Sequence, residues 1–239
     1  MTNLFRLLVT AALVAAAGMW LLEQSEVDNE LTDADRTALA PLMRSVEQKR
    51  SMALPTPDRE LAHIQFIVSA VFERTQGGKD IPQGQPREPA DVLAARSPLC
   101  YDRSRLIEKA LRAAGFATRH VSMYTVRPGS SALVTLLTPN AHSHAITEVR
   151  TAGGWMLVDP SAGWLARDAQ GRPLSARSLA QHARDGVQPM LPDQQSLPTF
   201  YRQPFHVVYG LYSRHGRFYP PYTAVPDVSL AELTANWQP

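Results

Sequence analysis

The chain has a single cysteine, at position 100, so it cannot form an internal disulfide. It also lacks an excess of charge of one sign. Its 24 basic and 22 acidic side chains leave a formal net charge of only +2, which argues against nucleic acid as a partner. No internal repeat or block of like charge stands out. With 44% hydrophobic and 19% charged residues among 239, we expect a packed core rather than global disorder.

Long apolar stretches are also missing, except near the N-terminus. Arg6 precedes sixteen uncharged residues, Leu7–Leu22, and an acidic segment follows. This order of charges would leave the N-terminus in the cytoplasm and the rest of the chain across the membrane. Small residues at 15–17 suit a signal peptidase, whereas the length of the apolar run suits an uncleaved anchor, so both alternatives stay open. We therefore expect residues 1–24 to be a membrane anchor or a signal peptide.

The remainder of the chain is then expected outside the cytoplasm, either anchored to the inner membrane or free in the periplasm. Residues 31–50 and 57–75 carry apolar side chains at three- and four-residue steps and predict two helices. Pro41 would kink or divide the first of them. Residues 76–96 are rich in glycine and proline and predict a long loop.

Two-residue alternation of apolar and polar side chains begins after Gly115. It predicts strands at 117–126, 132–137, 142–150, 155–159 and 205–213. Helices followed by strands predict an α+β fold, in which a helix packs on an antiparallel sheet. We expect an N-terminal helical segment at 25–78 and a second domain, with a C-terminal extension, at 79–239.

The cysteine lies in a stretch that has the marks of a helix start. Ser97 would cap the helix, Pro98 would occupy its first position, and Gly115 would close it. Cys100 then falls in the first turn, where the positive end of the helix dipole favours a thiolate. An isolated cysteine in a helix is more often a small buried hydrophobe, so the role of nucleophile needs further support.

A cysteine nucleophile needs a base, and the base needs a group that orients it. The third predicted strand contains His144, and the fourth ends at Asp159. A two-residue turn at 151–152 would put these two residues opposite each other, and a four-residue loop would put Asp159 opposite Ile146. In both registers His144 and Asp159 share a sheet face, whereas a three-residue loop would separate them. A metal site made by His142, His144 and Asp159 is an alternative, although no metal-binding motif supports it.

Two segments, PLCYDRSRLIEKALRAAGFATRHVSMY and HSHAITEVRTAGGWMLVDPS, resemble the core of the transglutaminase-like superfamily over residues 96–161. The resemblance implies a papain-like α+β core. It also implies that Cys100 is the nucleophile, His144 the base and Asp159 the orienting acid. The chain departs from the family pattern at Pro98, where the family usually has a glycine.

The resemblance further implies a cysteine-dependent amide hydrolase or acyltransferase that acts on peptide or protein amides without a metal or other cofactor. Calcium is not expected, because the sequence has no carboxylate-rich loop. Whether the acyl group passes to water or to an amine stays open. The competing hypothesis is a non-catalytic interaction module of a cell-envelope or polysaccharide-export assembly, with envelope proteins as partners. The complete Cys-His-Asp set favours the enzyme.

Overall fold

The computed structural model describes residues 13–20, 26–27, 29–52, 59–82, 85–126, 129–131, 134–135, 138, 141–189, 191, 196–212 and 227–237. The helices are α1 (Asp33–Met52), α2 (Arg59–Arg74), α3 (Pro89–Ala95), α4 (Cys100–Ala113), α5 (Ala176–Arg184) and α6 (Leu230–Leu233). The strands are β1 (Thr118–Thr125), β2 (Ser143–Thr151), β3 (Gly154–Asp159), β4 (Trp164–Leu165), β5 (Phe205–Tyr209), β6 (Leu211–Tyr212) and β7 (Asp227–Val228). Two 3-10 turns span Thr199–Arg202 and Thr234–Trp237. This order of elements confirms the α+β class.

The helices α1 and α2 pack against each other and against α4. Thr32 caps α1 reciprocally with Asp35: the Asp35 N–H donates to Thr32 Oγ1 (3.1 Å), and the Thr32 N–H donates to Asp35 Oδ2 (3.0 Å). Pro41 lies inside α1, which continues through it as one helix. The three helices share a core with one face of the sheet, made by Leu39, Leu42, Val46, Ile64, Ile67, Val68, Leu106, Ile107, Leu111, Val149, Met156 and Val158.

Helix α4 is enclosed on all sides, since every residue from Asp102 to Leu111 is buried. Its charged side chains have partners on other elements, because a buried charge without one would strongly destabilise the fold. Arg103 donates to the side-chain and carbonyl oxygens of Thr75 (2.8 and 3.0 Å), and Lys109 Nζ lies 3.0 Å from Asp35 Oδ2. The helix that carries the cysteine is therefore held by polar contacts as well as by apolar packing.

The prediction of a continuous loop at 76–96 is wrong, because the end of this segment forms α3. Pro89 fits the first turn of a helix, where its missing N–H is not needed. The Glu88 N–H donates to Asp91 Oδ2 (3.1 Å) and stabilises the helix start. Proline is typical of loops, but Pro89 is the first residue of a helix here.

The main sheet has five antiparallel strands in the order β4-β3-β2-β1-β5. The β2–β3 hairpin pairs Thr151 with Gly154 and Thr147 with Val158, and it is closed by a two-residue turn. The turn is at 152–153, one residue later than the predicted two-residue turn at 151–152. Asp159 therefore lies opposite Ile146, which is the register predicted for a four-residue loop. The strand predicted at 132–137 is wrong at 134 and 135, which are helical, and otherwise lies outside the described residues.

The C-terminal part of the chain covers the other face of the sheet. Its core is made by Val121, Met123, Ile146, Leu157, Leu179, Phe200, Tyr201, Phe205 and Tyr209. The strand predicted at 205–213 is divided at Gly210 (φ +70°), so that β5 joins the main sheet and β6 pairs with β7. A Cβ at Gly210 would lie 2.7 Å from the backbone of both Ser229 and Leu233, so this bend needs glycine.

Within the described part of the chain, no helix combines the length and the apolar character needed to cross a membrane. The anchor or signal segment predicted at 1–24 lies mainly outside the described residues, and its described part, 13–20, is helical. The domain boundary between 25–78 and 79–239 stays a prediction. Both α1 and α2 share one core with α4 and the sheet.

Candidate active site

Cys100 is the first residue of α4. The preceding residue, Leu99, has an extended backbone (φ −67°, ψ 141°) and is the N-cap. The prediction that Ser97 caps the helix and Pro98 opens it is therefore wrong, since both lie before it. Pro98 removes no N–H from the first turn, and the Cys100 N–H belongs to the group of N–H donors that have no acceptor within the helix. The Cys100 side chain is half-buried.

Ser97 bonds to the first turn of α4 by its side chain instead of capping it. Its Oγ donates to Asp102 Oδ2 (2.5 Å), and Arg87 Nη1 lies 2.8 Å from both oxygens of the same carboxylate. All three side chains are buried. Arg87 also donates to the carbonyl oxygen of Ile81, so it ties the segment before α3 to the turn that carries Cys100.

His144 and Asp159 lie at the same end of the sheet. His144 is near the start of β2 and Asp159 ends β3, and antiparallel pairing brings these positions together. His144 Nε2 is 3.1 Å from Asp159 Oδ2, and both side chains are buried. The two residues share a sheet face, as two-residue periodicity predicts. Thr147, on the opposite face, bonds to Ser104 of α4 at 2.9 Å.

Four donors hold the Asp159 carboxylate. Oδ2 accepts from His144 and from the Tyr201 hydroxyl (2.7 Å), and Oδ1 accepts from the N–H groups of Ser161 (2.7 Å) and Ala162 (3.0 Å). Burial raises the pKa of Asp159, but the hydrogen bond and charge of His144, together with Tyr201, outweigh burial and lower it below its ordinary value. An ionised carboxylate only accepts hydrogen bonds, so His144 Nε2 carries a proton and Nδ1 is left for another partner.

Cys100 also acts on this imidazole. Burial lowers the pKa of His144, but hydrogen bonds to Asp159 and Cys100, and the negative charges of both, outweigh burial and raise it to about 10. The imidazole therefore keeps a second proton at neutral pH. A histidine between a carboxylate and a half-buried sulfur at a helix N-terminus can take a proton from a nucleophile and return it to a leaving group.

Two aromatic residues of the Thr199–Arg202 turn complete the site, and sequence reasoning missed both. Tyr201 is buried and bonds to Asp159, and the Phe200 ring centroid lies 5.4 Å from that of His144. The surrounding segment has neither helical nor strand periodicity. Only the adjacent pair of aromatic residues in a polar, proline-rich stretch distinguishes it in the sequence.

His142, the other histidine near this end of β2, takes no part in the hydrogen bonds to Asp159. Its side chain is exposed, and its ring centroid lies 5.3 Å from that of Phe200. Among the residues that the structure describes, no group of three His, Cys, Asp or Glu side chains could hold a metal ion. The alternative metal site at His142, His144 and Asp159 is therefore not formed.

A helix that begins at a cysteine and packs on an antiparallel sheet, with a histidine and an aspartate on adjacent strands, defines the class as a papain-like α+β core. Residues 48–160 match the family model of the transglutaminase-like superfamily. The match contains Cys100, His144 and Asp159. The superfamily includes cysteine-dependent transglutaminases and peptidases. A comparison with curated proteins found no match.

Proposed function

We propose that the protein is a cysteine-dependent acyl-transfer enzyme that acts on peptide or protein amides outside the cytoplasm. The observation that carries the proposal is the buried His144–Asp159 pair, which keeps a protonated imidazole beside the half-buried Cys100. Burying such a pair costs free energy that apolar packing would not. Strongly shifted pKa values next to a nucleophile are typical of active sites.

In the first half-reaction, the Cys100 sulfur attacks the carbonyl carbon of the amide with its electron pair, while His144 holds the proton. A C–S bond forms and the carbonyl π electrons move to the oxygen. The intermediate then collapses, the C–N bond breaks, and His144 gives its proton to the leaving nitrogen. The products are a free amine and a thioester on Cys100.

In the second half-reaction, water or an amine attacks the thioester. His144 takes the proton of the attacking group, the C–S bond breaks, and the sulfur regains its electron pair. Water yields a carboxylic acid, and an amine yields a new amide. The contacts of His144 and Asp159 do not distinguish water from an amine as the group that attacks the thioester.

The start of α4 supplies one donor for the negative oxygen that forms on the carbonyl. The Cys100 N–H is at the first helical position, where the helix dipole is positive. Asp159 fixes the orientation of the His144 ring through Nε2, and Tyr201 with two backbone N–H groups keeps Asp159 in place.

Alkylation of Cys100 tests the proposal. Brief treatment of the whole protein with dilute iodoacetamide, followed by intact-mass analysis, measures how fast the only thiol reacts. We expect rapid labelling of the native protein and roughly tenfold slower labelling of His144→Ala, because this variant lacks the cationic imidazole beside the sulfur. His142→Ala is the matched control, because His142 touches the same Phe200 ring but not Asp159.

Two outcomes would contradict the enzyme. Equal labelling rates in the native protein and His144→Ala would show that His144 does not activate the thiol. A thiol that reacts only after denaturation would support the competing hypothesis, a non-catalytic interaction module of an envelope assembly.

The extracytoplasmic setting is a separate part of the proposal. It is supported by the order of charges around the N-terminal apolar run, and the described residues 13–20 expose Leu13 (66%) and Val14 (67%). Exposed apolar side chains in such a segment suit insertion into lipid. Alkaline phosphatase fused after residue 60 should be active in cells, and a fusion that is stable but inactive would place the domain in the cytoplasm.

A further inference from the structure

Helix α4 begins at the candidate nucleophile, Cys100, without a side-chain cap. Leu99 is the N-cap, and its apolar side chain cannot accept a hydrogen bond from the N–H groups of the first turn. The Ser97 hydroxyl reaches the Leu99 N–H only at 3.5 Å. Because helix ends without a cap fray, the position of Cys100 depends on contacts that other side chains of the first turn make.

Asp102, the third residue of α4, makes such a contact. An aspartate at this position can bond back to the N-cap N–H, but here both of its carboxylate oxygens lie 2.8 Å from Arg87 Nη1. Ser97 Oγ donates to Oδ2 at 2.5 Å. The side-chain exposure is 3% for Arg87 and 0% for Asp102, and hydrogen bonds between ionised groups are among the strongest in proteins. Asp102 therefore joins the first turn of α4 firmly to Arg87.

Arg87 contacts this turn at a second point as well. Its guanidinium carbon lies 4.9 Å from the ring centroid of Tyr101, the residue next to Cys100. Its Nη2 donates to the carbonyl oxygen of Ile81. The planar guanidinium group of arginine can make such contacts in several directions at once. One side chain thus joins two of the first three residues of α4 to the chain that precedes α3.

A second buried ion pair holds α4 far from Cys100 and provides a comparison. Lys109 Nζ lies 3.0 Å from Asp35 Oδ2, and the exposures of the two side chains are 2% and 5%. Lys109 is nine residues beyond Cys100, which is about 14 Å along the helix axis. The two pairs are alike in burial and hold the same helix, but the Lys109 pair does not contact the turn that carries the cysteine.

We propose that Arg87 is a positioning residue for the reaction at Cys100, and that it acts through Asp102 and Tyr101 to hold the first turn of α4 beside His144. This role rests on the function proposed above. A fixed first turn keeps the sulfur within reach of the imidazole and the Cys100 N–H within reach of the carbonyl oxygen. Apolar side chains in place of a buried ion pair are often as stable, so stability alone does not require the pair here.

Arg87→Met tests the role, because it keeps an unbranched apolar side chain and removes the guanidinium group. Alkylation of Cys100 with iodoacetamide from pH 5 to 9, followed by intact-mass analysis, gives the rate and the pH of half-maximal labelling. We expect labelling at neutral pH to be about three- to fivefold slower and the half-maximal pH to rise, because the displaced thiolate loses part of the support of His144. Arg87→Lys should recover part of the rate, since it restores the charge.

Lys109→Met is the matched control. It should lower the free energy of unfolding and leave the alkylation profile of Cys100 unchanged. Arg87→Met leaves the charge of Asp102 buried without its cationic partner, which strongly destabilises a fold. The double variant Arg87→Met/Asp102→Leu leaves no unpaired charge, so it should stay folded and show the same rise in the half-maximal pH. In a His144→Ala background the double change should cause no further slowing, because the histidine beside which it places the thiol is gone.

Three results would overturn the positioning role of Arg87. They are a native alkylation profile in the folded double variant, an equal change in Lys109→Met, or a slowing that persists in full in the His144→Ala background. The test also separates this role from the proposed function. If His144→Ala alone does not slow labelling, the proposed function fails. If His144→Ala slows labelling and the loss of Arg87 does not, only the positioning role fails.

Discussion

Two buried tyrosines contact carboxylates near opposite ends of α4, and the two networks carry different charges. Near the Cys100 end, the Tyr201 hydroxyl donates to Asp159 (2.7 Å). Towards the other end, the Tyr212 hydroxyl lies 2.8 Å from Glu108 Oε1 and 2.9 Å from Glu232 Oε2. Each network has a third member beside the tyrosine and the carboxyl group. It is His144 in the first network and a second carboxyl group in the second.

This third member decides whether the carboxyl group is ionised. Burial raises the pKa of Asp159, but the cationic His144 beside it lowers that pKa below its ordinary value. For Glu232, burial and the like charge of Glu108 act in the same direction and raise the pKa to about 8. At neutral pH the first network therefore holds an ion pair, and the second holds a neutral carboxyl group. A contact between a tyrosine and a carboxyl group therefore lies in the candidate active site in the first network, whereas in the second network it links structural elements.

The second network joins distant parts of the chain. Glu232 lies on α6, where it accepts from the His120 N–H of β1 (2.9 Å) and from Asn29 Nδ2 before α1 (2.9 Å). Arg112 of α4 lies 3.4 Å from the same carboxyl group. Changes in this network should alter the stability of the fold and leave the reactivity of Cys100 unchanged.

The largest effect is expected when the ion pair of the first network is broken. Asp159→Asn keeps the shape of the side chain but removes its charge and one acceptor, so His144 loses the group that orients it and supports its second proton. We expect amide turnover to fall by about 10³-fold, or about 4 kcal/mol. The alkylation profile of Cys100 should also move to higher pH, and an unchanged profile in a folded variant would show that Asp159 does not support His144.

A smaller effect is expected when the titrating group of the second network, Glu232, is replaced by one that does not titrate. Because the folded pKa of Glu232 is about 8 and its ordinary value is 4.5, the folded state binds more protons between these values. The free energy of unfolding therefore falls as pH rises through this window, by up to about 1.4 kcal/mol per pH unit. Glu232→Gln should remove this part of the pH dependence. Denaturant unfolding from pH 5 to 8 measures it, and parallel curves for the two proteins would refute the neutral Glu232.

Tyr212→Phe should separate stability from reactivity. It removes the hydroxyl between Glu108 and Glu232 and leaves buried carboxyl oxygens without that partner, at an expected loss of about 1–3 kcal/mol in the free energy of unfolding. Denaturant unfolding measures the loss. Cys100 alkylation should keep its native rate, and a marked slowing would show that the two networks are coupled through α4.

Tyr201→Phe is the matching change in the first network and should have the smallest effect. Asp159 keeps three of its four donors, so we expect Cys100 alkylation to slow about two- to fivefold, equivalent to about 0.5–1 kcal/mol. The pH at which alkylation is half-maximal should rise slightly in the same variant. A loss as large as that of Asp159→Asn would mean that Tyr201 contacts the reacting groups directly.

Much of the site follows from local patterns. The closure of α4 at Gly115 (φ +89°) is visible in sequence, because glycine adopts a left-handed backbone without strain. The common sheet face of His144 and Asp159 is visible too, since side chains in a strand repeat every two residues whatever the strand packs against. These features depend on near neighbours in the chain.

Other features depend on contacts between distant segments. The start of α4 is shifted from Ser97 to Cys100, and the Ser97 side chain bonds to Asp102 beside Arg87. Tyr201 reaches Asp159 across 42 positions, from a segment without periodicity. No local sequence pattern predicts this contact, because it forms only when the folded sheet brings the two segments together.

The amino-acid sequence alone is enough to establish the order of cysteine, histidine and aspartate along the chain, and the parity that puts His144 and Asp159 on one face. Those properties are set by covalent order and strand geometry. Only the tertiary structure decided which groups are charged, because ionisation depends on the burial and partners that packing imposes. The neutral carboxyl group of Glu232, beside that of Glu108, is one consequence of which side chains the fold brings into contact.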